Sequence, residues 1–106
     1  LDIIINTNLK NIEEETIIEV LENASNESYR VYIISLLILE YDYDDNKIAE
    51  LLSLLGGKYI DIAERSKHPV LEETKWNIKL AGALKHKRFI SSAKEDKDGI
   101  RIYPKR

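Results

Sequence analysis

Apolar residues recur at helical spacing along the first part of the chain. Asn11 is a residue type that caps helices, and the glutamates that follow it suit a first helical turn. The positions that repeat every three or four residues after this cap are Ile12, Thr16, Ile17, Val20, Leu21 and Ala24. This spacing predicts an amphipathic helix that ends within residues 23–26. Before it, residues 3–5 are consistent with either a short edge strand or the tail of a linker.

A second, more apolar segment covers residues 29–43. Its apolar side chains occur on every side of a helical wheel, so a helix here would be nearly surrounded by protein. The β-branched residues Val31, Ile33 and Ile34 also permit a buried strand. The length of the segment and the apolar run at residues 36–39 favour a helix.

A turn at residues 42–46 separates this segment from a third predicted helix. Asp44 or Asp45 can cap that helix, because a carboxylate accepts hydrogen bonds from the first free N–H groups. Its apolar stripe consists of Ile48, Leu51, Leu52 and Leu55. The pair Gly56-Gly57 then ends the helix, as a glycine after the last turn commonly does.

The second half of the chain predicts two more helices and a hairpin. A short helix covers residues 59–65 and a longer one covers residues 70–86. The residues that the short helix would bury are Tyr59, Ile62 and Ala63. After these helices the spacing of apolar residues changes to that of strands. It predicts strands at residues 89–91 and 100–103, joined by a charged turn at residues 94–99.

Composition limits the classes of protein to consider. The chain has 106 residues, of which 43% are hydrophobic and 33% are charged, as expected for a single soluble domain. It contains no cysteine, which excludes disulfides and thiolate zinc sites and favours a cytoplasmic location. The longest apolar stretch, residues 31–39, is about half of the roughly 20 residues that span a membrane, so we expect no membrane partner. Methionine is also absent, which predicts a domain excised from a longer protein.

Charge divides the chain at Gly56-Gly57. Residues 1–57 carry three basic and twelve acidic side chains, a balance of −9, whereas residues 58–106 carry thirteen basic and seven acidic ones, a balance of +6. Clustered positive charge attracts polyanions although the net charge of the whole chain is −3. The basic half therefore favours a nucleic-acid partner. The acidic half would be a solvated face, or a face that avoids DNA or docks a basic partner.

The predicted order of helix, short helix, longer helix and hairpin resembles the winged helix-turn-helix superfamily. The resemblance implies a mainly α fold with a small β-hairpin wing. Residues 1–106 would form a single domain, in which residues 1–45 are an N-terminal extension of two helices and residues 46–106 are the winged helix-turn-helix. The recognition helix would be residues 70–86 and the wing residues 89–103.

Residues 58–106 are similar, more narrowly, to the C-terminal winged-helix domain of phage and plasmid primase-helicases, which are replication proteins of mobile elements. The residues that carry this likeness are Thr74-Lys75-Trp76, Ala81-Gly82-Ala83-Leu84-Lys85, Phe89 and Gly99-Ile100-Arg101-Ile102-Tyr103. The resemblance implies a domain that positions duplex or single-stranded DNA for a motor or polymerase elsewhere in the protein. Arg88 stands where these domains usually have glycine, which leaves the geometry of the helix-to-strand corner open.

A helical wheel divides residues 70–86 into two arcs. The core arc contains Ile78, Leu80, Ala81 and Leu84, and the opposite arc contains Lys75, Lys79, Gly82 and His86. A helix with lysines around a glycine gap fits the major groove of DNA, where lysines contact phosphates. Thr74 and Asn77 are candidates for reading a base edge.

The candidate nucleic-acid contacts extend from this helix into the wing. They are Lys75, Trp76, Lys79, Lys85, His86, Lys87, Arg88, Lys94, Lys97 and Arg101. Two roles remain open for Trp76, which either packs in the core or stacks on a base of single-stranded nucleic acid. For the lysines, the alternative is an ordinary solvated helix face.

No set of residues predicts catalysis or a cofactor. His68 and His86 lie apart on the chain, without a carboxylate pair at metal-ligand spacing. The acidic run Asp42, Asp44 and Asp45 could imitate a cation site. It lies where a turn and a helix cap are needed, so we interpret it as structural.

The leading hypothesis is a DNA-binding winged-helix domain of a larger replication protein. A small dimeric transcriptional regulator is the alternative within the same class, and a winged-helix protein-interaction module is the alternative from another class. Besides DNA, the expected partners are neighbouring domains or a second protomer, bound through the N-terminal helices. The tyrosines that could extend to such a surface are Tyr29, Tyr32, Tyr41 and Tyr43.

Overall fold

The computed structural model describes residues 14–105. In chain order the helices are α1 (Glu14–Asn23), α2 (Glu27–Glu40), α3 (Asp45–Ser53), α4 (Lys58–Glu64) and α5 (Lys75–His86), and the strands are β1 (Val70–Leu71), β2 (Ile90–Asp96) and β3 (Gly99–Pro104). A mainly helical fold with a small antiparallel sheet is therefore confirmed. The predictions for Asn11, Ile12 and residues 3–5 lie outside the described residues.

Helix α2 lies at the centre of the core. It begins after Asn26, whose side-chain oxygen accepts a hydrogen bond from the backbone N–H of Tyr29 at 3.3 Å. Its buried residues are Val31, Ile33, Ile34, Ser35, Leu37 and Ile38. Helix α2 packs against both α3 and α5. Its apolar residues are therefore buried on more than one side of the helix. The strand alternative for this segment is wrong.

Helix α3 adds the predicted apolar stripe to this core. Asp44 caps it, because Oδ1 of the carboxylate accepts a hydrogen bond from the backbone N–H of Lys47 at 2.9 Å. The stripe residues Ile48, Leu51, Leu52 and Leu55 are all buried. Gly56 and Gly57 follow with φ angles of 73° and 52°, a region that glycine enters most easily, and the chain turns into α4.

The predicted start of the long helix is wrong, because residues 70–74 do not belong to it. Val70 and Leu71 form β1, which pairs antiparallel with β3. Leu71 is only 2% exposed, so the strand buries an apolar side chain and satisfies its backbone at the same time. Helix α5 begins after Thr74, whose hydroxyl accepts a hydrogen bond from the backbone N–H of Asn77 at 3.2 Å.

The hairpin is longer than predicted and its turn is tighter. Strand β2 continues to Asp96 instead of ending at residue 91, and only Lys97 and Asp98 lie between β2 and β3. The described strands form one antiparallel sheet in the order β1–β3–β2, with an irregularity in register between Ile90 and Ser92. The charged residues of β2 are tolerated in a strand because β2 is at the edge of the sheet.

Helix α5 joins the helical layer to the sheet. It packs against α2, and both β2 and β3 contact it. The buried residues that α5 and the sheet contribute to the common core include Leu80, Ala81, Ala83, Leu84, Phe89, Ile90, Ile100 and Ile102. This burial fixes α5 on two sides and leaves one side of the helix to solvent.

Gly99 gives a test of the close approach between β1 and β3. It has a φ of 146°, and a Cβ there would collide with the carbonyl of Leu71. We expect Gly99→Ala to lower the free energy of unfolding by roughly 2 kcal/mol or more, because it combines backbone strain with a clash. Urea unfolding followed by circular dichroism measures this change.

Gly82→Ala is the matched control for that experiment. A Cβ at Gly82 meets nothing within 4 Å, so alanine should raise the free energy of unfolding by about 0.5–1 kcal/mol through its better helix propensity. Equal effects of the two substitutions would contradict the contact of Gly99 with β1.

Candidate nucleic-acid interface

Helix α5 divides its side chains into a buried and an exposed side. The buried residues are Asn77, Leu80, Ala81, Ala83 and Leu84. The opposite side, called the α5 face below, consists of Lys75, Ile78, Lys79, Gly82, Lys85 and His86. All of them are exposed except Lys79, which is half-buried. The predicted core arc is therefore wrong at Ile78, which is 52% exposed.

Asn77 occupies the core position that was predicted for Ile78. Its Oδ1 accepts a hydrogen bond from the Tyr59 hydroxyl at 2.8 Å, and its Nδ2 donates one to the Glu72 carbonyl oxygen at 2.9 Å. Both ends of the amide are thus satisfied, which allows a polar residue in the core. Because the amide is used inside the protein, the prediction that Asn77 reads a base edge is wrong.

All the formally charged residues of the α5 face and of the corner that follows it are basic. Residues 75–88 contain no acidic side chain, and their formal cations are Lys75, Lys79, Lys85, Lys87 and Arg88. Among residues 14–105, none of these cations takes part in an ion pair. Neighbouring cations that no carboxylate neutralises attract a polyanion strongly.

Gly82 leaves a gap in the middle of the α5 face. The residue is exposed, and a Cβ added to it would meet nothing within 4 Å. Ile78 and Lys85 lie about one turn away on either side of it. The backbone of another molecule can therefore approach the helix closely between these side chains.

The corner between α5 and β2 has the backbone of a glycine turn although Arg88 occupies it. Arg88 has a φ of 60°. The N–H of Phe89 donates a hydrogen bond to the Leu84 carbonyl at 2.9 Å, and the N–H of Arg88 donates one to the Lys85 carbonyl at 3.0 Å. These two bonds define a Schellman motif, and the buried pair Phe89 and Leu84 provides its apolar contact. The corner thus holds Lys87 and Arg88 beside the α5 face.

The hairpin presents its cations in two different ways. Lys94 and Lys97 are exposed. Arg101, in contrast, donates hydrogen bonds from Nε to Asp96 Oδ2 at 2.9 Å and from a terminal nitrogen to the His68 carbonyl at 3.0 Å. The hydrogen bond from Arg101 lowers the pKa of Asp96, so the carboxylate stays charged and neutralises the guanidinium. Arg101 therefore ties the sheet to the segment before β1 and offers less charge to a ligand than the two lysines do.

Trp76 packs partly against the core and keeps part of its side chain accessible. Its side chain is half-buried, and its ring centroid lies 4.3 Å from that of Tyr32. On the solvent side, Lys75 Nζ lies 4.4 Å from the Trp76 ring centroid. A hollow of about 380 Å³ opens beside the ring, and its lining consists of Asn26, Ser28, Tyr29, Tyr32, Lys75 and Trp76.

Sequence reasoning missed Tyr29 and Tyr32 as neighbours of the candidate interface. It grouped them with Tyr41 and Tyr43, whereas the latter two rings stack on each other with centroids 5.4 Å apart. Tyr29 and Tyr32 lie near the start of α2, whereas Tyr41 and Tyr43 follow its last residue. This difference in position would have separated the two pairs. Contact with Trp76 depends on how α2 packs against α5, which no local pattern encodes.

The acidic turn before α3 has structural roles. Asp44 caps the helix, and Asp45 forms an ion pair with Arg65 at 3.0 Å. No group of three or more histidine, cysteine, aspartate or glutamate side chains could hold a metal ion in the part of the chain that the structure describes. His68 lies with its ring centroid 5.2 Å from that of Tyr103.

The chain is similar to a bacterial protein. The chain is 35% identical over 74 residues to YobI, an uncharacterized membrane protein of Bacillus subtilis (strain 168). The match covers 69% of this chain but only 6% of YobI, so the chain spans a small part of that relative. No helix within residues 14–105 is both long enough and apolar enough to cross a membrane. No protein-family model and no solved structure matches the chain.

The buried pair of Tyr59 and Asn77 predicts a dependence of stability on alkaline pH. Burial, with Glu27 as a lesser cause, raises the pKa of Tyr59 to about 12, whereas a tyrosine in the unfolded chain titrates near its usual value of about 10. The folded protein therefore keeps a proton that the unfolded chain releases. The contribution of the protonated Tyr59 to the free energy of unfolding is complete below a pH of about 10 and is lost as the pH rises towards about 12.

Tyr59→Phe isolates this effect, because phenylalanine does not titrate. We expect the free energy of unfolding of the native protein, relative to that of Tyr59→Phe, to fall by on the order of 2 kcal/mol across this interval. Urea unfolding of both proteins at several pH values measures the difference. A difference that stays constant with pH would show that Tyr59 is not held in the neutral form by the fold.

Proposed function

We propose that this chain is a winged-helix domain that binds DNA through the α5 face, the corner after it and the β2–β3 hairpin. The observation that carries the proposal is the group of cations in residues 75–88, which has no acidic side chain within it and no ion-pair partner among the described residues. The phosphates of a nucleic acid are the polyanion that such a surface neutralises best.

The order of elements supports the winged-helix form of the proposal. Helices α3, α4 and α5 precede the hairpin, as they do in a winged helix-turn-helix. The connection between α4 and α5 covers residues 65–74 and contains β1, so it is longer than the turn of three or four residues in the simplest helix-turn-helix. The proposal therefore rests on the charge of the α5 face more than on that turn.

DNA contacts on this surface would supply affinity without sequence reading. Lysines reach phosphates as point charges, and the two candidates for reading a base edge, Thr74 and Asn77, form hydrogen bonds within the protein. Gly82 lets the helix backbone approach the groove. Such a domain would position DNA for another part of a larger protein, and the resemblance of its second half to primase-helicase tails favours a replication protein of a mobile element.

The size of the relative supports the view that the domain works within a longer chain. YobI is named as a membrane protein, and this chain covers 6% of its length. A DNA-holding domain of a membrane-associated protein is therefore a second setting for the same binding activity.

A protein-interaction module is the second candidate function. Ile78 is 52% exposed and Leu39 is 37% exposed, and a partner protein would cover such apolar side chains. This candidate predicts no affinity for DNA.

The dependence of DNA binding on salt tests the proposal. We expect the affinity for a short duplex of mixed sequence to fall as salt rises, because phosphate contacts release counterions. Lys79→Ala/Lys85→Ala should reduce the slope of log K against log salt by about 2, one unit for each lost phosphate contact. Fluorescence anisotropy of a labelled duplex measures the slope.

Lys47→Ala is the control, since it removes a lysine from α3 and leaves residues 75–88 intact. Its slope should equal that of the native protein. If the native protein binds no DNA at low salt, or binds with a slope of zero, the proposal is wrong and the protein-interaction module remains.

A further inference from the structure

We propose that the hollow beside Trp76 takes an unpaired base of single-stranded DNA, while Lys75 holds the phosphate next to that base. This inference rests on the proposed function and specifies the substrate of the same surface. It predicts a preference for single strands at one end of α5, where the α5 face meets α2.

Aromatic rings from two helices line the hollow. Tyr29 and Tyr32 come from α2 and Trp76 comes from α5, and together they face a space of about 380 Å³. Each of these residues is half-buried, and Trp76 packs against the core. Tyr32 supports Trp76 at a centroid distance of 4.3 Å and an interplanar angle of 45°. Every base has a π-face, so such rings accept single strands of any sequence.

Lys75 supplies the charge at the edge of this aromatic surface. Its Nζ lies 4.4 Å from the Trp76 ring centroid, and its side chain is exposed. A cation–π contact at an exposed site is weaker than the stacking of a base on an aromatic ring. A base that stacks on Trp76 therefore displaces the ammonium group, and the flexible stem of Lys75 lets this group pair with the adjoining phosphate.

The surroundings of the hollow favour a single strand over a closed duplex. A base within a duplex must leave its stack before it can enter a space between two helices, and unstacking costs free energy. A second hollow, of about 510 Å³, shares Ser28 and Trp76 with the first. The charged residues in its lining are Glu27, Glu72, Arg30 and Lys58, so its formal charges cancel. Uninterrupted positive charge begins at Lys75, so phosphates are attracted over Lys75 towards the basic α5 face and not into the second hollow.

Trp76 is the single tryptophan of the chain, so its fluorescence reports directly on this hollow. We expect oligothymidylate to quench the Trp76 emission as it binds, and a duplex of equal length to quench it less. Tyr29→Ala should weaken binding of oligothymidylate by about tenfold and leave duplex binding unchanged, because it removes one stacking wall but no charge.

Matched variants separate stacking from damage to the fold. Tyr41→Ala removes a tyrosine just beyond the far end of α2 and should change neither affinity. Trp76→Phe should retain most of the affinity for labelled oligothymidylate, whereas Trp76→Ala should lose it. Circular dichroism identifies any variant that fails to fold. If the Trp76 variants fail to fold, the quenching measured in the native protein and the oligothymidylate affinity of Tyr29→Ala test the inference.

The outcomes distinguish this inference from the function on which it rests. If neither oligothymidylate nor duplex binds at low salt, the proposed function fails and this inference fails with it. If duplex binds but oligothymidylate leaves the Trp76 emission unchanged, only the assignment of the hollow is wrong. Equal losses of oligothymidylate affinity in Tyr29→Ala and Tyr41→Ala would also show that the assignment of the hollow is wrong.

Discussion

The hydrogen bond from the buried Tyr59 hydroxyl to Asn77 acts together with the buried Leu80 and Leu84 to fix which side of α5 faces solvent. Asn77 also donates to the Glu72 carbonyl, so one side chain links α4, α5 and the segment between them. With Asn77 inside, Ile78 and Gly82 lie on the outer side together with the lysines. The opposite rotation would bury Ile78 but would leave the Tyr59 hydroxyl without its partner, at a cost of roughly 1–3 kcal/mol. The polar pair in the core and the apolar residues beside it therefore set the composition of the candidate interface.

The basic residues of the second half divide into those that hold the fold together and those that face outward. Arg65, Lys67 and Arg101 each form an ion pair with an aspartate, and these pairs lie around α4 and the sheet. Exposed pairs of this kind contribute little stability, about 0–1 kcal/mol each, but they cancel charge locally. The cations of α5 have no such partners among residues 14–105. The positive balance of the second half is therefore concentrated on one helix and the corner after it.

Much of the fold could be predicted from the sequence because its signals are local. The cap at Asp44, the stripe that ends at Leu55 and the helix around Val31 depend on neighbours within a few residues, and the structure has them as predicted. Residues 70–74 were assigned to the wrong element, because β1 exists only through its pairing with β3. The prediction also stopped β2 too early, since charged residues suit an edge strand as well as a turn.

The candidate site shows the same division between local and distant causes. The sequence by itself determined that a basic helix ends near His86, that Gly82 interrupts its side chains and that the charge of the chain changes sign at Gly56-Gly57. Only the tertiary structure decided that Asn77 lies inside, that α2 brings tyrosines to Trp76 and that Arg101 is neutralised by Asp96. Helical period and charge are properties of short segments, whereas the rotation of a helix and the partners of its side chains depend on residues far away in the chain.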